Sequence, residues 1–398
     1  MTEEIKKREY KKGLIVTFLM ISMIQMPNFA LFPAVEYIAT EVFPERSLQT
    51  IQNVTALPNL IAIFSGIIST LLLRRGITTK RFTAILGISF YSFTGIMAFF
   101  LNTQFWHLIF LNVLIGAGMS TCIPGLHSIL FDNFDEKMRR ILSGLQATFK
   151  NVGVVIMSIV GGMLIPIVWY GCHLTTLFAI PVLVLAIIFV PRDKKLKPSA
   201  DIVRTKLPGR VFFYTGMFLV FMIVYQAAPM NFSTHLARGD IGNAAVAGAG
   251  TAMMMASGAV GGIVFAKLWP FLRENLFAVT FVILFVGFSI FNLFSRSLVM
   301  SITAMLLCGF AGGLFIPGVI FSVSKLTDPT NSATAALFMG CIAPAGGGFL
   351  SPHIMTRLTY ALAGESTRFR YQFVGMVCLA LALAVFMHFR SREKNSCQ

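Results

Sequence analysis

Apolar residues in this chain come in long runs almost free of charge, separated by short polar segments. A membrane-spanning helix needs about 20 consecutive, mostly apolar residues. Twelve runs meet that length: 14–38, 48–73, 82–101, 106–130, 141–166, 172–190, 211–234, 244–268, 276–294, 298–324, 333–356 and 371–389. Strands of about ten residues alternating apolar and polar, the mark of a membrane barrel, are absent. Backbone groups in lipid must be satisfied within the segment, so the runs predict helices. The expected fold is an all-α membrane protein of twelve transmembrane helices.

Composition agrees with that pattern. Of 398 residues, 56% are hydrophobic and 12% charged, with a mean hydropathy of +0.78. Soluble proteins carry about 25% charged residues, so this chain has too few to clothe a water-facing surface. The lipid bilayer is therefore the first expected partner.

The polar segments also set an orientation. An even number of spans puts both termini on one side. Twenty-five Lys and Arg residues then fall on the side of the termini, six fall on the other (Arg46, Arg238, Arg296, Arg357, Arg368 and Arg370), and Lys150 lies within a span. The positive-inside rule makes the first side cytoplasmic, as expected in a bacterial-type inner membrane. The net charge of +16 would suggest nucleic acid in a soluble chain, but here the charge marks loops and implies no such partner. The apolar run after the basic N-terminal tail is too long for a signal-peptide core and reads as a retained first helix.

The stretch Pro191–Arg210 is polar throughout and lies at the midpoint of the chain. It predicts three parts: a six-helix bundle over 1–190, a cytoplasmic linker over 191–210, and a second six-helix bundle over 211–398. The halves share patterns at fixed offsets. Gly116 and Ile123-Pro124-Gly125 recur 193 residues later as Gly309 and Ile316-Pro317-Gly318. Thr55-Ala56, eleven residues before Gly66, recurs as Thr251-Ala252, eleven before Gly262. Gln25-Met26-Pro27-Asn28-Phe29 is echoed by Gln226-Ala227-Ala228-Pro229-Met230-Asn231-Phe232. A duplicated six-helix unit predicts two bundles related by a pseudo-two-fold axis along the membrane normal. The paired Pro124 and Pro317 would weaken equivalent helices and let them bend.

With twelve helices, a six-plus-six repeat and a basic central linker, the chain resembles the major facilitator superfamily over its whole length. That family has G-x-x-x-D-R-x-G-R-R between helices 2 and 3. Here Arg74 and Gly76 fit, Leu73 stands at the Asp position, and the basic pair Lys80-Arg81 comes two residues late. Asn112 stands where the family often has an Arg in helix 4, and Met157-Ser158 replaces the antiporter Gly-Pro of helix 5. The resemblance implies a secondary active transporter working by alternating access. It also assigns Arg74, Gly76, Pro124 and Pro317 to conformational change.

Ionisable side chains at membrane depth are costly and tend to be functional. Lys150 lies nine residues into the fifth run, roughly 14 Å along the helix at about 1.5 Å per residue, in a hydrocarbon core about 30 Å thick. It shares a helical stripe with Gln146, Gly153, Met157 and Gly161, a pattern that predicts a cavity wall. Facing water there, it would attract a substrate carboxylate or phosphate; otherwise it is a lysine snorkelling to the interface. Glu36 is the one carboxylate clearly within a run. Helices 1 and 7 line the cavity in the resembled family, which adds Gln25, Asn28, Tyr225, Gln226 and Asn231 to the expected substrate site. Asn59, mid-span in the second run, completes the set. Interhelical hydrogen bonding is the alternative for each amide.

The expected function is transport of a small solute, an organic anion first, by a monomer that uses a coupling ion such as H+. A multidrug or hydrophobic-compound exporter is the alternative, and a non-transporting sensor on the same fold comes third. Six cysteines form no CxxC pair, the histidines show no metal-ligand spacing, and no phosphate-binding G-x-x-x-x-G-K-[ST] occurs. No enzyme activity, metal or cofactor is expected.

Overall fold

A computed structural model describes residues 2–192, 208–326, 335, 337–364 and 366–396. Most of the expected linker, 193–207, lies outside the described residues. The first half contains α1 (Thr2–Met23), α2 (Val35–Tyr37), α3 (Leu48–Arg74), α4 (Lys80–Met97), α5 (Phe105–Asn133), α6 (Glu136–Leu164), α7 (Gly171–Leu174) and α8 (Ala179–Phe189). The second contains α9 (Gly209–Tyr225), α10 (Ala227–Arg238), α11 (Ala244–Leu272), α12 (Asn275–Leu293) and α13 (Leu298–Ser324). It ends with α14 (Ala343–Ser351), α15 (Arg357–Ala363) and α16 (Thr367–Ser396).

Among the described residues, eight helices are long and apolar enough to cross a membrane, and Lys11–Met23 with Pro27–Val42 makes a ninth, broken span. Among the described residues, three of the twelve expected runs give no helix of spanning length and apolarity. The run 82–101 becomes α4, which carries Lys80 and Arg81 in its first turn and stops at Met97. In the run 141–166 the apolar helix is Thr148–Leu164. The run 333–356, only partly described, alternates α14 with π-helical turns at Phe338–Ile342 and Pro352–Thr356. Large apolar side chains such as Phe100, Ile167 and Phe271 remain more than 70% exposed, as lipid-facing residues should.

Two of the interruptions, in runs 14–38 and 211–234, follow from proline. Run 14–38 stops at Met23 and resumes as a 3-10 turn at Pro27–Ala30. Met26, the residue before Pro27, is driven out of the helical region to φ −128°, ψ 56°. In run 211–234, α9 gives way to α10 at Gln226. Pro229 has no N–H to offer the Tyr225 carbonyl one turn back, so the ladder breaks there.

Met1–Leu31 and Val54–Val203 form one compact unit, and Phe32–Asn53 with Arg204–Gln398 the other. In the first, α4 packs along α5, and α1 lies against α6 and α8. Its core joins Leu14, Phe18, Ile88, Tyr91, Leu126 and Met157. In the second, α11 packs along α13, and α12 lies against α13 and α16. Phenylalanines fill that core: the Phe221 and Phe315 rings stack 3.8 Å apart, with Phe277 and Phe281 edge-on to Phe315. Cys122, Cys172, Cys308, Cys341 and Cys378 are buried and unbridged, in keeping with small apolar fillers.

The offsets seen in the sequence reappear as contacts inside each unit. A methyl group on Gly116 of α5 would overlap Pro58 of α3. A methyl group on Gly309 of α13 would overlap the carbonyl of Met254 on α11. Gly309 is Gly116 shifted by 193 residues, and Met254 is Pro58 shifted by 196, the offset of the Thr-Ala pair. Each close approach falls at a glycine that the sequence offsets pair, because only glycine lets the backbones come so near.

Candidate functional site

In the first unit, the break after α1 gathers the polar side chains. Gln25, Asn28 and Asn59 are at most 6% exposed. Asn28 Nδ2 donates to Asn59 Oδ1 at 3.4 Å, and the Tyr91 hydroxyl donates to the Gln25 carbonyl at 3.5 Å. Gln25 Nε2, Asn28 Oδ1 and Asn59 Nδ2 are buried without a hydrogen-bond partner. Asn112, at the position of the expected helix-4 arginine, is fully buried with both amide atoms unpartnered.

Lys150 and Gln146 on α6 are half-buried, and Lys150 makes no ion pair among the described residues. Beyond Lys150 the stripe packs against the first span rather than lining a cavity. A methyl group on Gly153 would overlap the Met23 carbonyl at the end of α1, and Gly161 lies against Ala30. Met157 is 1% exposed within the core. The small residues of the stripe thus serve close packing of α6 on the broken first span. Lys150 lies one turn before Gly153 on α6.

In the second unit, Tyr225, Gln226 and Asn231 are all buried. The Tyr225 ring stacks on Phe221 and fills the space opposite Gly312, so most of it is packing. Gln226 Oε1 is buried without a partner. Asn231 is committed to the protein: its Oδ1 accepts from Gln52 Nε2 at 2.9 Å and from Arg370 Nη1 at 2.5 Å, while its Nδ2 donates to the Ala227 carbonyl at 2.8 Å. Gln52 Oε1 accepts from Thr356 at 2.8 Å, and Arg370 Nε donates to Thr359 at 3.2 Å.

The sequence places Arg370 in an outer loop, but it is 1% exposed within α16. An arginine just before an apolar run gives no sign of whether it turns outward or is drawn in. Its partner Asn231 is 139 residues away, which only the tertiary fold supplies. Glu36, the single acidic side chain buried among the described residues, pairs with Arg238 at 3.0 Å. Its backbone N–H donates to Ser233 at 3.2 Å. The segment Phe32–Asn53 is thereby fastened to α10 at Glu36 and at Gln52.

These two fastenings differ in strength. Asn231→Ala leaves the buried guanidinium and the Gln52 amide short of an acceptor, a loss of about 1.5–3 kcal/mol for a bond to a charged group. Glu36→Gln breaks a pair whose Arg238 side chain is 31% exposed and screened by solvent, worth about 1 kcal/mol or less. Thermal unfolding in detergent should show the larger drop in Tm for Asn231→Ala, with Asn231→Asp retaining more stability than the alanine variant.

The residues assigned to conformational change have local roles. Gly76 has φ +67° and closes α3: its N–H donates to the Leu73 carbonyl at 3.1 Å, and that of Ile77 to Leu72 at 3.0 Å. This pairing is a left-handed C-terminal cap, which favours glycine. The Arg74 side chain lies outside the described residues. Arg81 caps α8 by donating to the Val190 and Ile187 carbonyls at 2.6 and 2.7 Å. Pro124 and Pro317 sit inside α5 and α13, both of which continue through them.

The sequence model of the Major Facilitator Superfamily matches residues 15–352. The chain belongs to that superfamily. Solved structures of similar fold include the POT family transporter PepTSo, with TM-score 0.75 at 10% identity, covering 96% of this chain and 98% of that one. The nucleoside transporter NupG gives TM-score 0.69 at 12% identity, with 95% and 98% covered. A bacterial homologue of the human lysosomal transporter Spinster gives 0.68 at 16% identity, with 96% and 97% covered. No curated protein matches the chain. The protein is thus a multi-pass membrane transport protein of the facilitator fold. Within that fold its helix-4 position carries the neutral, unpartnered Asn112.

Proposed function

We propose that this facilitator is a secondary active transporter that moves a small organic anion by alternating access, with Lys150 as the positive charge that attracts it. The supporting observation is the half-buried Lys150 in the apolar stretch Thr148–Leu164, with no ion-pair partner among the described residues. Glu36, the one buried acidic side chain described, is engaged by Arg238 and offers little to a cationic drug. That favours the anion reading over export of cationic compounds.

The same reading keeps twelve spans in two six-helix bundles, 1–190 and 211–398, related by a pseudo-two-fold axis and joined by the linker 191–210. The repeated contacts Gly116–Pro58 and Gly309–Met254 support the duplication. The excess of basic residues on one side supports cytoplasmic termini in a bacterial-type inner membrane. Within the first bundle the substrate site would combine Lys150 and Gln146 with Gln25, Asn28 and Asn59. Arg74, Gly76, Pro124 and Pro317 would take part in the conformational cycle of a monomer coupled to an ion such as H+.

Countertransport tests the mechanism. Proteoliposomes loaded with an unlabelled carboxylate should take up the labelled compound faster than empty ones, because a carrier returns more quickly when occupied. Uptake unaffected by internal substrate, across a panel of mono- and dicarboxylates, would overturn alternating-access transport of an organic anion.

A further inference from the structure

The break in the first span leaves three amide atoms whose unmet hydrogen bonds define a ligand. Gln25, Asn28 and Asn59 are 6%, 2% and 4% exposed, inside segments surrounded by apolar residues. Gln25 Nε2, Asn28 Oδ1 and Asn59 Nδ2 have no partner. Each buried polar group left without a partner disfavours the folded state. Leucine at any of these positions would avoid the cost.

The pattern of donor and acceptor does not depend on how the amides are turned. With Asn28 Nδ2 donating to Asn59 Oδ1, the pair leaves one acceptor on Asn28 and one donor on Asn59. Exchanging nitrogen and oxygen in both side chains preserves the bond and again leaves one donor and one acceptor. Gln25 adds a further amide three residues along the break. A carboxylate brings only acceptors and would face the free amide oxygen with negative charge. An ammonium brings only donors and would leave the amide nitrogen unmet. The complement of the pair is an uncharged group carrying a donor and an acceptor together.

We propose that Gln25, Asn28 and Asn59 form a subsite for an uncharged, hydrogen-bonding part of the substrate, such as a carboxamide or a hydroxyl-bearing group. This rests on the anion-transport reading above and extends it: the substrate carries an anionic group for Lys150 and a neutral donor–acceptor group for the amides. The two are separate demands, so they can fail separately.

The test uses ω-amide monocarboxylates, in which two to five methylene groups separate a primary carboxamide from a carboxylate. In the control isosteres a methyl group replaces the amide nitrogen, giving methyl ketones. Purified full-length protein in detergent is titrated with each probe and the rise in Tm is converted to an apparent Kd. At least one amide probe should bind ten times more tightly than its methyl-ketone isostere. Asn59→Leu should erase that preference while leaving the Tm of the unliganded protein equal to or above that of the native chain.

If amide and ketone probes bind equally well and both depend on Lys150, the subsite is overturned and the anion reading stands. If no probe stabilises the protein through Lys150, the anion reading falls and takes this proposal with it. If Asn59→Leu keeps the amide preference and lowers Tm, the asparagines hold helices together and the subsite is again overturned.

Discussion

Replacing Lys150 by Ala should lower carboxylate uptake into proteoliposomes at least tenfold, while Lys150→Arg retains a substantial part of it. Tenfold corresponds to about 1.4 kcal/mol, a modest share of what a cation contributes to an anion in a site shielded from water. The prediction follows from position. Lys150 is in α6 three residues before Gly153, whose backbone bears on the end of α1, so it belongs to the interior of the first unit rather than to a loop. It is half-buried rather than sealed within the core. A snorkelling lysine would give another result: the alanine variant would transport normally, and so would the arginine variant. Unchanged uptake in both variants removes Lys150 from the mechanism.

The second large effect is on folding. Gly309→Leu should abolish most recovery of folded protein from detergent extracts, and Gly153→Leu should do nearly the same. At each position even a methyl group would overlap a backbone carbonyl, Met254 for Gly309 and Met23 for Gly153. A backbone atom cannot move aside as a side-chain tip can, so the helix pair must separate. Overpacking in a tight core costs about 1–3 kcal/mol for small additions, and a whole leucine side chain against a carbonyl exceeds that range. Gly216, where a methyl group would meet nothing, provides the control: Gly216→Ala should leave the Tm nearly unchanged. Fluorescence-detected size-exclusion chromatography separates these outcomes. A monodisperse, native-like Gly309→Leu protein would show that α11 and α13 pack less closely than described.

Much of the fold is legible in the residues because lipid imposes a simple rule. Each spanning segment must be a helix and must be apolar, so hydropathy alone marks the runs that become α3, α5, α11, α12 and α13. The duplicated Gly and Thr-Ala positions are also readable, since close helix contact demands small residues at fixed places. The breaks at Met26 and Gln226 are partly visible in Pro27 and Pro229, but membrane helices tolerate proline, and its presence alone does not decide between a bend and a break.

Side-chain partners are not legible. Lys150 and its stripe read as one surface, yet Gly153, Met157 and Gly161 pack against the first span. Asn231 reads as a substrate ligand, yet Gln52, Arg370 and Ala227 occupy its amide. Gln52 carries no signal of its own in the sequence, and Arg370 reads as a loop charge. Each belongs to a network whose members lie more than a hundred residues apart in the chain.

The sequence by itself determined that the chain lives in lipid and crosses it as helices. These are consequences of solvent and of local geometry, both of which act on neighbours in the chain. Only the tertiary structure decided which polar groups are satisfied and which wait for a partner. That depends on which helix faces which, and the hydrophobic runs that drive insertion are silent on it, because every face of a lipid-embedded helix is apolar enough to be buried.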